Sequence, residues 1–146
     1  LFIGEYTHSV DAKGRMIMPT KFRTKEEGES FFITKDVEGC LAVYTPEEWQ
    51  KIEQKTSELP INTNPKAAAF ARFLLSGAAE CEVDKSGRIN IPQTLRDYAG
   101  IDKEVCVLGI RSRIEVWDSE RWAAYQATTI TPEGIRDIMG SIGLEF

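Results

Sequence analysis

Short apolar runs separated by polar turns open the chain, and longer stretches with one apolar side follow them. Residues 4–10 carry strand composition in Tyr6, Thr7 and Val10. Asp11-Ala12-Lys13-Gly14 predicts a turn, because Asp bonds the backbone that follows it and Gly accepts positive φ. Met16-Ile17-Met18 returns as a short strand, and Pro19 opens a short helix over residues 20–26 that carries Lys21 and Arg23. Strands are expected at 31–34 and 41–44, around a turn at 36–39. Thr45-Pro46-Glu47-Glu48-Trp49 combines a cap residue, a proline next to it and acids in the first turn, so a helix runs from there to Ser57 and stops before Pro60. Asn64-Pro65 opens a second helix with Ala68, Phe70, Ala71, Phe73 and Leu74 on its apolar side, ended by Ser76-Gly77.

The same order then returns. Strands at 78–83 and 88–91 flank a turn at 84–87, a short helix covers 92–99, and strands follow at 104–110 and 114–117. Asp118-Ser119-Glu120-Arg121-Trp122 starts a helix where Thr45 did in the first round. A tail at 131–146 starts with Thr131-Pro132-Glu133 and predicts helix to Met139. The recurrence is textual too. Val10-Asp11-Ala12-Lys13-Gly14-Arg15 is matched 73 residues later by Val83-Asp84-Lys85-Ser86-Gly87-Arg88, half of the 146-residue length. In the same register Gly4 falls on Gly77, Pro19 on Pro92, Arg23 on Arg96, Val43 on Val116 and Trp49 on Trp122, with no gap. A unit of about 50 residues is marginal alone, so two copies sharing one core are expected. Connections of two to six residues favour hairpins. The class is α+β, mainly β. The expected organisation is a first repeat at 1–62, a connecting helix at 63–76, a second repeat at 77–127 and a helical tail at 128–146, with the two repeats forming one folded unit.

Charge changes this picture more than composition does. The net charge is −5, which argues against a chain uniformly coated for nucleic acid. Residues 11–25 nevertheless set Lys13, Arg15, Lys21, Arg23 and Lys25 against Asp11 alone, and residues 84–96 set Lys85, Arg88 and Arg96 against Asp84. The repeated turns are therefore basic islands in an acidic protein. Cys40, Cys81 and Cys106 are odd in number and far apart, and His8 is the single histidine. That predicts buried reduced thiols in a cytoplasmic protein, with neither a disulfide framework nor a zinc site. The apolar run from Ala67 to Ala79 contains Arg72 and is too short to span a bilayer, so no membrane is expected as a partner. No charged-then-apolar leader precedes Ile3, an expectation against export.

Three stretches carry a resemblance: Phe2-Ile3-Gly4-Glu5-Tyr6 through Arg15 to Pro19, Phe73-Leu74-Leu75-Ser76-Gly77-Ala78, and Cys81-Glu82-Val83-Asp84-Lys85-Ser86-Gly87-Arg88-Ile89. With its duplicated Asp-x-x-x-Arg, the chain resembles the MraZ family, which is similar to AbrB-type transcription factors. The resemblance covers essentially the whole chain. It implies a pseudo-two-fold double swapped-hairpin β-barrel with peripheral helices. It also implies a ring-shaped homo-oligomer and binding to double-stranded DNA at direct repeats in the promoter of the protein's own operon, the division and cell-wall gene cluster. Location would be the cytoplasm, on the nucleoid. Gln93-Thr94 stands where the first half has Thr20-Lys21, so the second half is less basic.

The residues themselves point the same way. Arg bonds a phosphate or a guanine edge bidentately and Lys supplies a point charge, so Lys13, Arg15, Lys21, Arg23, Lys85 and Arg88 are candidate DNA contacts. Gly14 would let backbone approach a phosphate closely. Asp11, Asp84 and Gly87 belong to the motif as structural residues, since an Asp at a turn is an ordinary backbone cap. Asp11 with Arg15 and Asp84 with Arg88 also suit ion pairs that staple each turn. Trp49 and Trp122 fit core or interface anchors better than stacking partners for bases. The sequence shows no nucleophile–base pair, phosphate loop or metal cluster, so neither an enzyme, a cofactor nor a small-molecule substrate is expected. The rival reading is a ring-forming assembly or partner-binding protein without DNA readout. An RNA binder is disfavoured, because no aromatic-rich stacking sheet is visible.

Overall fold

Val10, Met16, Ile89 and Val83 are buried, and they belong to four different short segments. The architecture follows from how those segments find partners. A computed structural model describes residues 1–24 and 28–146. In chain order the strands are β1 (Phe2–Ser9), β2 (Arg15–Ile17), β3 (Ser30–Lys35), β4 (Leu41–Tyr44), β5 (Ala79–Glu82), β6 (Arg88–Asn90), β7 (Glu104–Arg111) and β8 (Arg113–Asp118). The helices are α1 (Pro46–Ser57), α2 (Pro65–Leu75), α3 (Gln93–Ala99), α4 (Ser119–Thr128) and α5 (Pro132–Ile142). The protein is α+β, with strands paired antiparallel throughout. Six form one sheet in the order β1-β7-β8-β4-β3-β5, and β2 pairs with β6 in a separate two-stranded ribbon.

The helices begin where the cap chemistry placed them. Thr45 Oγ1 accepts from the Glu48 N–H at 3.3 Å, Asn64 Oδ1 from Lys66 N–H at 2.9 Å, and Thr131 Oγ1 from Gly134 N–H at 3.0 Å. An Asp118 carboxylate oxygen takes the Arg121 N–H at 3.2 Å, in the position Thr45 holds in the first half. The last helix runs past Met139 to Ile142 and stops at Gly143, whose φ of +70° ends it in the left-handed conformation.

Two expectations need correction. Residues 4–10 and 16–18 do not form a ladder hairpin. Only an isolated bridge joins Val10 to Met16, and β1 runs instead beside β7 from Phe2↔Arg111 to Ser9↔Glu104. Likewise β5 pairs with β3, from the other half, rather than with β6. The physical reason is burial. Met16 and Met18 are fully buried, so the segment after the turn must enter the core, where its partner is β6. The hairpins that do form are β3–β4 and β7–β8. The second correction is the helix at 20–26, of which one 3-10 turn, Thr20–Phe22, is present before Arg23 returns to extended backbone at φ −107°. Phe22 is pulled into the core, with its ring edge-on to Phe2 and Tyr6 at 5.3 and 5.2 Å. Residues 25 and 26 lie outside the described residues.

The β2–β6 ribbon pairs equivalent repeat positions with one another. Met16 faces Ile89, its own counterpart, and Arg15↔Asn90 maps onto Ile17↔Arg88. The repeat is not gapless. The Val10 N–H donates to Lys103 O at 2.7 Å, and in the other half the Val83 N–H donates to Glu29 O at 2.8 Å. Val83 lies 73 residues past Val10, but Lys103 lies 74 past Glu29. The extra residue is given back in the next turn: Lys35↔Leu41 encloses five residues, and its counterpart Gly109↔Ile114 encloses four.

One core spans both halves, with Phe31, Ile33 and Val43 packed among Ile89, Leu95, Val107 and Ile114. Trp49 is buried against Phe32, stacked at 5.3 Å, and Trp122 packs on Trp117. Polar links cross as well. Arg113 bonds Asp36 at 3.3 Å and also Glu115, and the Tyr98 hydroxyl donates to Asp36 O at 2.6 Å. Asp36, Cys40 and Glu115 lie close together, but the cation among them is the Arg113 guanidinium. Burial pushes the Cys40 thiol up, and it donates to Asp36 at 3.6 Å. All three cysteines are free and buried. Among the described residues no helix is long and apolar enough to cross a membrane.

Candidate nucleic-acid interface

Each Asp-x-x-x-Arg turn is held by its own aspartate. Asp11 Oδ1 accepts from the N–H groups of Lys13 and Arg15, both at 2.9 Å, and Oδ2 accepts from Arg15 Nε at 2.7 Å. The Gly14 N–H closes onto Asp11 O at 2.9 Å, with Gly14 at φ +87°. The second turn repeats this. Asp84 Oδ1 takes Ser86 N–H at 2.8 Å and Arg88 N–H at 2.9 Å, Oδ2 takes Arg88 Nε at 3.1 Å, and Gly87 sits at φ +78°.

The halves brace each other here. The Ile91 N–H donates to Gly14 O at 2.8 Å, and the Met18 N–H donates to Gly87 O at 2.9 Å. A Cβ on Gly14 would stand 2.7 Å from Ile91 O and 2.8 Å from Arg96 Nε, while one on Gly87 would stand 2.6 Å from an Arg23 guanidinium nitrogen. So Arg96 lies under the first turn and Arg23 under the second, each crossing from the other half. The close approach that Gly14 permits is that of Arg96 and Ile91, not of a phosphate: the residue is buried. The sequence reading names no site role for Arg96. The signal available was that Arg23 and Arg96 fall on one another in the repeat.

The remaining cations face outward. Lys13, Lys21 and Lys85 are exposed, and Arg15 and Arg88 are half-exposed at 35% and 31% of their side chains. On the β2–β6 ribbon, Met16 and Ile89 point into the core, so Arg15, Ile17, Arg88 and Asn90 share the outer face. Arg15 stands opposite Asn90 and Arg88 opposite Ile17, which makes the two arginines diagonal neighbours, about 7–8 Å apart for such pairs. Each arginine spends Nε on its aspartate. Among the described residues its two terminal nitrogens bond no other group, and they remain for a ligand. The stapling reading and the binding reading are therefore compatible: the carboxylate fixes the guanidinium's direction through Nε without engaging its forked end.

This geometry keeps both carboxyls ionised below the ordinary range, with the Arg15 N–H the largest cause at Asp11 and the Arg88 N–H at Asp84. A lowered folded-state value means that the contribution is present above the unfolded value and lost as pH falls through the folded one. In an NMR titration the two carboxyl carbons should move below the ordinary aspartate value of about 3.9. The amides of Lys13, Arg15, Ser86 and Arg88 should shift with them. Titration at or above that value would contradict the turn geometry.

The chain matches the family model described as "MraZ protein, putative antitoxin-like" over residues 1–73 and again over 74–133. It belongs to the MraZ family. A relative named Transcriptional regulator MraZ from Acetivibrio thermocellus is 48% identical over 145 residues, covering 99% of this chain and 100% of that one. Those of the same name from Clostridium tetani and Halothermothrix orenii are 47% and 51% identical, over 99% and 86% of this chain and 100% and 86% of their own. The two MraZ matches meet at 73/74, inside α2, and each contains one complete Asp-x-x-x-Arg turn.

Proposed function

We propose that this protein is a sequence-specific DNA-binding transcriptional regulator. It acts as a ring-shaped homo-oligomer on repeated promoter elements of the division and cell-wall gene cluster. The observation that carries the reading is the outer face of the β2–β6 ribbon, where two anchored arginines present open guanidinium forks flanked by Lys13 and Lys85. A two-stranded ribbon fits the major groove of B-DNA, and Arg is the side chain that reads a guanine edge there. Arg15 and Arg88 are assigned to base edges, and Lys13, Lys21 and Lys85 to phosphates. Asp11, Asp84, Gly14, Gly87 and Arg23 hold the turns in place. The names of the relatives support regulation of transcription.

The fold proposed with it is the double swapped-hairpin barrel. In its favour, the first strand of each half pairs with the third strand of the other, and β2 and β6 meet on the pseudo-two-fold. The protein needs no cofactor or small-molecule substrate for this role and works on the nucleoid, in the cytoplasm.

Few cations per protomer on a chain of net charge −5 make a single site weak, and the salt dependence grows with each phosphate contact added as further protomers engage. A ring that repeats the site makes later contacts intramolecular and raises avidity. Footprinting on the DNA upstream of the protein's own gene is expected to show evenly spaced protected repeats, lost together as salt rises. Uniform or absent protection by folded protein would overturn sequence-specific binding and favour an assembly protein without DNA readout.

A further inference from the structure

We propose that α5 of one protomer docks, as an amphipathic helix, into the groove between α1 and α2 of a second copy of the chain. The inference specifies the contact that builds the homo-oligomer proposed above, and it rests on that reading.

Two unpartnered surfaces motivate it. On α5, Ile135, Ile138, Met139 and Ile142 occupy the i, i+3, i+4, i+7 positions of one helix face. The C-terminal part of that face is left open, with Ile138 40% exposed and Ile142 65%, while Ile135 and Met139 are half-buried. The groove encloses about 360 Å³ and is lined by Ile52, Leu59, Phe70, Phe73 and Leu74, with Phe70 46% exposed. A volume of that size falls in the range of binding pockets, about 300–1,000 Å³.

Charge selects the match. The groove carries Lys35 and Lys55, and its Arg113 is already paired with Asp36 and Glu115, which leaves a balance of +1. Within α5, Glu133 and Asp137 stand against Arg136, a balance of −1, and Glu145 follows the helix end. An acidic helix with an apolar stripe is the complement of an apolar groove with basic walls. Groove and helix belong to different halves of the chain, so the contact is head-to-tail, the kind that closes into rings when the rotation permits.

The experiment is sedimentation at micromolar concentration on the full chain, with a thermal melt on every variant and DNA footprinting scored separately. Wild type should be a defined oligomer. A tail variant, Ile138→Asp with Ile142→Asp, and a groove variant, Phe70→Asp, should each be folded monomers. Mixed in equal amounts they should form dimers and nothing larger, because one intact tail meets one intact groove. Should Phe70→Asp lower the melt, Lys55→Glu on the exposed helix surface takes its place and is expected to weaken association several-fold at low salt. Variants that keep the wild-type size, or a mixture that stays monomeric, overturn this contact and leave the oligomer itself standing. A wild type that is monomeric, with its groove closed by its own tail or filled by another ligand, overturns the contact and the oligomer together.

Discussion

Residues 1–62 expressed alone will not form a monomeric domain that melts cooperatively. In the intact chain β1 is held by β7, β2 by β6, and β3 and β4 are flanked by β5 and β8. Only the β3–β4 ladder survives the cut, and a lone two-stranded hairpin is at best marginally stable. The first half contributes Met16, Met18, Phe31, Ile33, Leu41 and Val43 to the fully buried core, facing side chains of the second half. At about 1.5–3 kcal/mol each, those six side chains represent roughly 9–18 kcal/mol of burial. Losing even half of that is comparable with the whole stability of a domain, about 5–15 kcal/mol. The fragment should be unfolded by circular dichroism, or should dimerise so that a second copy supplies the missing strands. A dispersed NMR spectrum from a monomer with a sharp melt would show that the halves are independent.

Arg15→Ala should abolish most specific DNA binding while the fold survives. The survival follows from how Asp11 is satisfied. Its Oδ1 takes two backbone N–H groups that persist with any side chain at position 15, and the lost Arg15–Asp11 pair is an exposed one. Such solvent-screened pairs contribute little to stability. Loss of a base-edge contact costs about 1–3 kcal/mol per engaged protomer, and the cost compounds across an oligomer. Lys13→Ala, by contrast, should weaken binding to all sequences alike and flatten the salt dependence by about one unit per lost phosphate contact.

Local chemistry was legible in the sequence wherever a few adjacent residues decide it. The caps at Thr45, Asn64, Asp118 and Thr131 act within three residues, and the aspartate–glycine turns satisfy themselves. Strand partners were not legible, since pairing of β1 with β7 is decided by which faces are buried, across a hundred residues. A short connection at 11–14 suggests a hairpin, yet the buried Met16 and Met18 turn the chain inward after one bridge. The one-residue slip between Glu29 and Lys103 is hidden by the exact repeat on either side of it. At the site, the exposed cations were readable from the duplicated motif. The packing of Arg96 under Gly14 and of Arg23 under Gly87 was not, because it joins residues from opposite halves.

The central claim is that this paired turn is the reading element. Fluorescence anisotropy of wild type, Arg15→Ala and Lys13→Ala on upstream promoter DNA and on a scrambled duplex, at several salt concentrations and beside a thermal melt, tests it most directly. The account predicts that Arg15→Ala melts close to wild type, loses its preference for the promoter and keeps only the weak affinity shown to scrambled DNA. A well-folded Arg15→Ala protein that binds the promoter with wild-type affinity and preference would contradict it.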